Sequence, residues 1–263
     1  NSRIDNAGGD WNGGLVGMTA YGQAFADVSV EYLTVTGVSR VGGLSGGVSG
    51  NNEQVSFVNI DIAQLTVETT GERVGGLVGT MQGGTISDVL ASNITVTGDS
   101  YVAGLVGASN GLLSFELIEL DNTSVSALAN NVGALGGVMY GPVALMSATL
   151  SFTTVVGEQN VGGVFGHTSD FVTASHVQVA FTNLHSNDTS GDGRVGGVIG
   201  WATTERVSLN DVAVGFLGIT ATTTKVGGIV GWATDGISIS NFVVQAAEIS
   251  RRSFGRVVPA SQL

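Results

Sequence analysis

Trp201 and Trp232 are the side chains whose type and spacing best suit a ligand: each stands in the string Gly-Trp-Ala-Thr, 31 residues apart. Turned outward on neighbouring strands, two such indoles would give a flat strip for a sugar face; turned inward, they would fill a bend. The three histidines, His167, His176 and His185, are spaced nine residues apart. A metal would need them converged with carboxylates or water, so plain surface histidines on turns are the expectation. Glu116, Glu119 and Asp121 form the densest acidic group. Paired carboxylates for glycoside cleavage face each other at about 5–10 Å across a groove, and calcium wants several such oxygens together. No basic partner or aromatic groove accompanies these three, and no His-Glu-x-x-His zinc motif occurs. No catalytic, metal or cofactor residue is therefore assigned, and the chain is not expected to be an enzyme.

What must position these groups is a repeat. The run Val-Gly-Gly-aliphatic-x-Gly, or a close variant, starts at 12, 41, 74, 102, 132, 161, 195 and 226, with steps of 28 to 34 residues. Asn12 takes the valine place in the first copy, and a worn copy falls near 254. A fixed period of this length marks a repeat architecture. Each unit holds three short runs of alternating apolar residues bounded by Gly, Asn, Asp and Ser, the pattern of strands. In the unit from Val74 these are Val74 to Thr80, Thr85 to Ala91 and Ile94 to Thr97.

The expected fold is all-β: a single parallel β-solenoid over 1–263, of about eight rungs with three short strands each. Paired glycines Gly42 and Gly43, Gly75 and Gly76, Gly162 and Gly163, Gly196 and Gly197, and Gly227 and Gly228 fall where the wall must bend or another backbone crowds in. A nucleotide-binding glycine loop needs a strand-loop-helix context and one copy, not eight.

Stacking of rungs predicts ladders of like residues. Thr34/Thr36, Thr66/Glu68, Thr95/Thr97, Ser124/Ser126 and Thr220/Thr222 are expected outside, with Val35, Val67, Val96 and Val125 inside. Asp27, Asn59, Asp88, Asn210 and Asn241 form a second ladder suited to satisfying turn backbone. Arg40, Arg73, Tyr101, Asn131, Asn160, Arg194 and Lys225 form a third, expected to face outward. A threonine ladder raises an ice-binding function, but Glu68 interrupts it and it becomes irregular beyond Ser124.

Composition narrows the function classes. The net charge of −12 argues against nucleic acid, which rewards clustered Lys and Arg. There is no cysteine, so neither disulfides nor cysteine-ligated metal arise. Charged residues are only 11% and mean hydropathy is +0.34, a surface poorly defended against association. Residues 122–157 carry no charge, yet their glycine run stays in register with the repeat and Gly141-Pro142 would break a helix, so no membrane span is expected.

The Val-Gly-Gly-Leu-Val-Gly unit, preceded by a short Asn/Asp-aliphatic strand, resembles the GLUG repeat of large bacterial surface and secreted proteins, adhesin-like proteins among them. The resemblance covers about residues 12–231. It implies a solenoid in an extracellular or cell-surface setting and carries over no catalytic residue. The ends differ in charge: Asp5, Asp10, Asp27 and Glu31 oppose Arg3 at the start, while Arg251, Arg252 and Arg256 face no acid after 249. Open sheet edges with opposite charge suit head-to-tail contact between copies. Asp5, Asp10, Arg251, Arg252 and Arg256 are thus the candidate assembly residues. The expected function is a non-enzymatic structural or adhesive element that joins copies into a fibre or surface layer. The alternative is a carbohydrate-binding or carbohydrate-processing β-helix using Trp201 and Trp232.

Overall fold

The computed structural model describes residues 2–6, 9–20, 22–49, 55–203, 206–223, 225–245 and 248–251. The worn repeat near 254, with Arg252 and Arg256, lies outside them. The described residues contain strands and turns and no helix, so none is long and apolar enough to cross a membrane. All strand pairs are parallel, and each rung contributes to three sheets, two of eight strands and one of thirteen. The chain is a β-solenoid of about eight turns.

One rung shows why the repeat folds this way. Val74–Gly75 is the first strand, Val78–Met81 the second and Gly84–Gly98 the third. The glycine run is therefore cut in two by a corner at Gly76 and Leu77. Leu77 fills the inside of that corner and is fully buried. A Cβ on Gly76 would run into the carbonyl oxygen of Gly104 on the next rung, and one on Gly75 into those of Val78 and Leu105. A Cβ on Gly79 would lie 2.7 Å from the carbonyl carbon of Arg40 on the preceding rung. Backbone, not a movable side chain, occupies each space. The glycines let adjacent rungs touch through their main chains, and Leu77 N and Val78 N both donate to Leu105 O at 2.9 Å.

The third strand is long, 15 residues in Gly84–Gly98, and spans both of the shorter runs read from sequence. It bends twice, at Asp88 and Asn93, which hold φ of +53°. A left-handed residue breaks the two-residue alternation. Inward positions therefore step by three across each bend, as from Ile86 to Val89 and from Ala91 to Ile94. From Val143 onward the strand separates at the second bend, as Val143–Ser151 and Thr154–Gly157. The interior is one continuous apolar cluster, with Phe57, Phe115 and Phe165 among the largest fully buried side chains. Val35, Val67, Val96 and Val125 all lie inside it, as their alternation with Thr and Ser required.

Three ladders differ from the sequence expectation, the threonine ladder in that Thr220 falls on the line of Thr36 and Glu68 and not on that of Thr34. The first bend runs Asp27, Asn59, Asp88, Leu117, Ser147, His176, Asp211 and Asn241, all at positive φ. Asn210 pairs instead with Ser175 and Ser240, one place before the bend. In the ladder before the valine, Asn131 and Asn160 are buried, not outward. Asn160 Nδ2 donates to Asn131 Oδ1 at 2.8 Å, and Arg194 Nη1 donates to Asn160 Oδ1 at 3.1 Å. The outer side of the second sheet carries apolar Ala108 and Val138 there, and both are buried.

Candidate functional site

Strand register brings Val138, His167, Trp201 and Trp232 into one line along the rod. His167 stacks on Trp201 with centroids 4.4 Å apart and planes 14° from parallel. The guanidinium carbon of Arg194 sits 4.0 Å from the Trp201 ring, and Lys225 Nζ lies 5.3 Å from that of Trp232. The two tryptophans are thus adjacent, as the repeat predicted, and each meets a cation from the preceding corner. The Trp201 indole is tucked against the wall: its Nε1 is buried and has no hydrogen-bond partner. Trp232 is 45% exposed and offers the more open ring.

His167 lies on the same outer line and is half-buried in this stack. Burial, and secondarily the Arg194 charge, push its pKa down to about 4, so its ring is neutral at pH 7. Its Nε2 lies 3.2 Å from Thr203 Oγ1. The other histidines stand elsewhere, His176 beside the Asp211 carboxylate at 3.4 Å and His185 with Nε2 2.6 Å from Asn187 Oδ1. Among the described residues, no three His, Cys, Asp or Glu side chains converge as a metal would require.

The acidic group is divided by a bend. Glu116 precedes Leu117 and Glu119 follows it, while Asp121 Oδ1 accepts a hydrogen bond of 2.7 Å from Ser151. Asp188, nearly fully buried, has a structural task. Burial pushes its carboxyl up. Hydrogen bonds from the Ser190 hydroxyl and from the N–H groups of Gly193, Ser190 and Gly191 outweigh this and hold its pKa below the usual value. Its carboxylate closes the loop 188–193, and the Thr222 and Thr223 hydroxyls tie that loop's carbonyls to the next rung.

The second bend carries two surfaces that the sequence reading did not isolate. Near the first rungs, Arg3, Tyr32, Thr34, Gln64, Thr66 and Asn93 line an open polar groove of about 600 Å³. Farther along the same bend line, Phe152, Phe181 and Phe216 stack outside the wall, with centroids 4.9 and 4.7 Å apart and planes within 7°. They are 59%, 46% and 58% exposed. The sequence signal for them is the three-residue step between inward neighbours, Leu150 to Thr153, Val179 to Thr182 and Val214 to Leu217.

The threonine ladder continues from Thr34 through Thr66, Thr95, Ser124 and Thr154, then becomes Asn183 and Gly218. Thr220 pairs with His185, on the line that contains Glu68. At the first rungs, Asp5 pairs with Arg3 at 3.2 Å and accepts a hydrogen bond from Thr36, and Asp10 lies 3.5 Å from Arg40. Both candidate assembly acids therefore have cationic partners within the chain. Arg251 ends the strand Glu248–Arg251. No family model, curated protein or solved structure matched the chain.

Proposed function

We propose that this protein is a non-enzymatic extracellular structural or adhesive element, built to join copies head to tail into a fibre or surface layer. The observation that carries this reading is the parallel stacking itself. The first and last described rungs present edges of the same three sheets, running in the same direction, so one copy's edge is shaped to continue another's. Large apolar side chains stand open at both: Leu15 and Met18 on the first rungs, Phe242 and Ile249 on the last. The resemblance of the unit to the GLUG repeat and the cysteine-free, charge-poor composition favour a surface or secreted setting.

Electron microscopy at rising protein concentration tests this. Filaments one rod wide are expected, shortened by Arg251→Glu or Asp10→Lys through lost charge complementarity. Single rods at every concentration would refute the proposal.

A second reading has one specific observation in its favour. The groove at Tyr32, Gln64 and Asn93 combines an exposed phenol with amides and hydroxyls, a set that suits a saccharide. A glycan array signal lost on Tyr32→Ala would favour it, and a signal lost on Trp232→Ala would place the sugar on the indole line instead.

A further inference from the structure

The second bend of the long strand is a place where bulky side chains are costly. Its residues hold φ near +50°, a region that Asn adopts readily and aromatic residues seldom do. Tyr32 stands at the bend of the first rung, but the next three rungs carry amides there, Gln64, Asn93 and Asn122, and Asn122 Nδ2 donates to Asn93 Oδ1 at 2.6 Å. Three consecutive later rungs do not. Phe152, Phe181 and Phe216 take the same left-handed backbone with φ of 48°, 51° and 51°, and project their rings into solvent. The rings stack on one another along the rod yet stay about half exposed, so the ridge keeps an open apolar surface that a partner can cover.

The surroundings point to what meets them. On one side the ridge is flanked by Ser151, Ala180 and Gly215, which are paired across the rungs and leave the phenyls standing clear. Residues 149–156, 178–185 and 213–220 include no Asp, Glu, Lys or Arg. In a chain of net charge −12, this is a face where two copies can approach without like charges meeting. Acids mark its limits along the rod, Glu119 and Asp121 on the rung before and Glu248 on the rung after. The rings repeat at the spacing of the strands, so the partner that matches all three at once is a surface with the same repeat.

We infer that the Phe152–Phe181–Phe216 ridge is a lateral self-association site, which lays the same ridge of a second copy against it, rod beside rod. This deepens the reading of the protein as an assembling scaffold and supplies the contact between fibres that end-to-end joining lacks. Its size sets its strength. Three rungs by eight residues cover at most about 14 Å by 26 Å, or about 700 Å² over two copies. A stable dimer buries about 1,200 Å² or more. The contact is weak for one pair and becomes strong by repetition along joined rods.

Sedimentation equilibrium from micromolar to millimolar protein, in low and in high salt, tests the site. The average mass should rise with concentration, and more steeply in high salt, which screens the net charge. The variant carrying Phe152→Asn, Phe181→Asn and Phe216→Asn extends the native amide ladder, so it should keep the parent's circular dichroism and lose the high-salt association. Should the triple variant fail to fold, Phe181→Asn alone should weaken association by about tenfold. Association unchanged in these variants, or a parent that stays monomeric throughout in high salt, would overturn the inference. Association that falls with salt and survives the substitutions would also overturn it, while supporting the head-to-tail contact.

Discussion

Replacing Gly76 by alanine would drive a methyl carbon into the Gly104 carbonyl, where backbone on both rungs leaves no room to give. We predict a loss of about 2–4 kcal/mol in urea unfolding, the range of core overpacking and strain. Gly215 is the contrast. A Cβ there meets nothing within 4 Å and its φ is not left-handed, so Gly215→Ala should raise stability by about 0.5 kcal/mol. Equal effects at the two sites would contradict the close-approach account of the repeat glycines. His167 gives a pH prediction with a definite sign. Its pKa falls from an ordinary 6.5 to about 4 on folding, so between those values the unfolded chain binds the extra proton. Its contribution is complete above pH 6.5 and is lost as pH falls through about 4, to a limit of about 3 kcal/mol. His167→Phe keeps a ring in the stack and should flatten this part of the pH–stability curve. Curves of the same shape for parent and variant would show that the titrating group is elsewhere.

At the scale of the element, the glycine corner was legible and the bends were not. The corner shows because one residue type serves it in every rung. The first bend is held by Asp27, Leu117, Ser147 and His176 alike, since any side chain can point to solvent from a left-handed backbone, at some cost. That mixture hid its register, and it is why Asn210 was matched to a ladder that belongs to Asp211. The Phe ridge was hidden for a related reason. In an apolar run, phenylalanine reads as core, and only the three-residue step between Leu150 and Thr153 shows that Phe152 has been turned out. Trp201 and Trp232 were placed correctly on one line by their repeat string. The Arg194 cation on Trp201 was not foreseen, because it comes from a corner whose side chains fold across the outer wall. If each rung contacts mainly its neighbours, one whole unit can be removed. Deleting 132–160 joins Asn131 to Val161 in register and should leave a folded, shorter rod by circular dichroism and small-angle scattering. Deleting only half of that unit should abolish folding, since inner and outer faces no longer stack.

At the scale of the molecule, charge and hydropathy have separate effects. The −12 net charge keeps rods apart at long range, while the sparse charge and the apolar edges favour contact once they meet. End-to-end contact by unlike charges should weaken with added salt, and side-to-side contact through Phe181 should strengthen. The two can therefore be separated in one titration. The central claim is that the rod is a building block. Negative-stain imaging of the purified protein across a concentration series tests it most directly. Filaments of single-rod width that lengthen with concentration and shorten with salt are predicted; isolated rods of one unchanging length under every condition would contradict it.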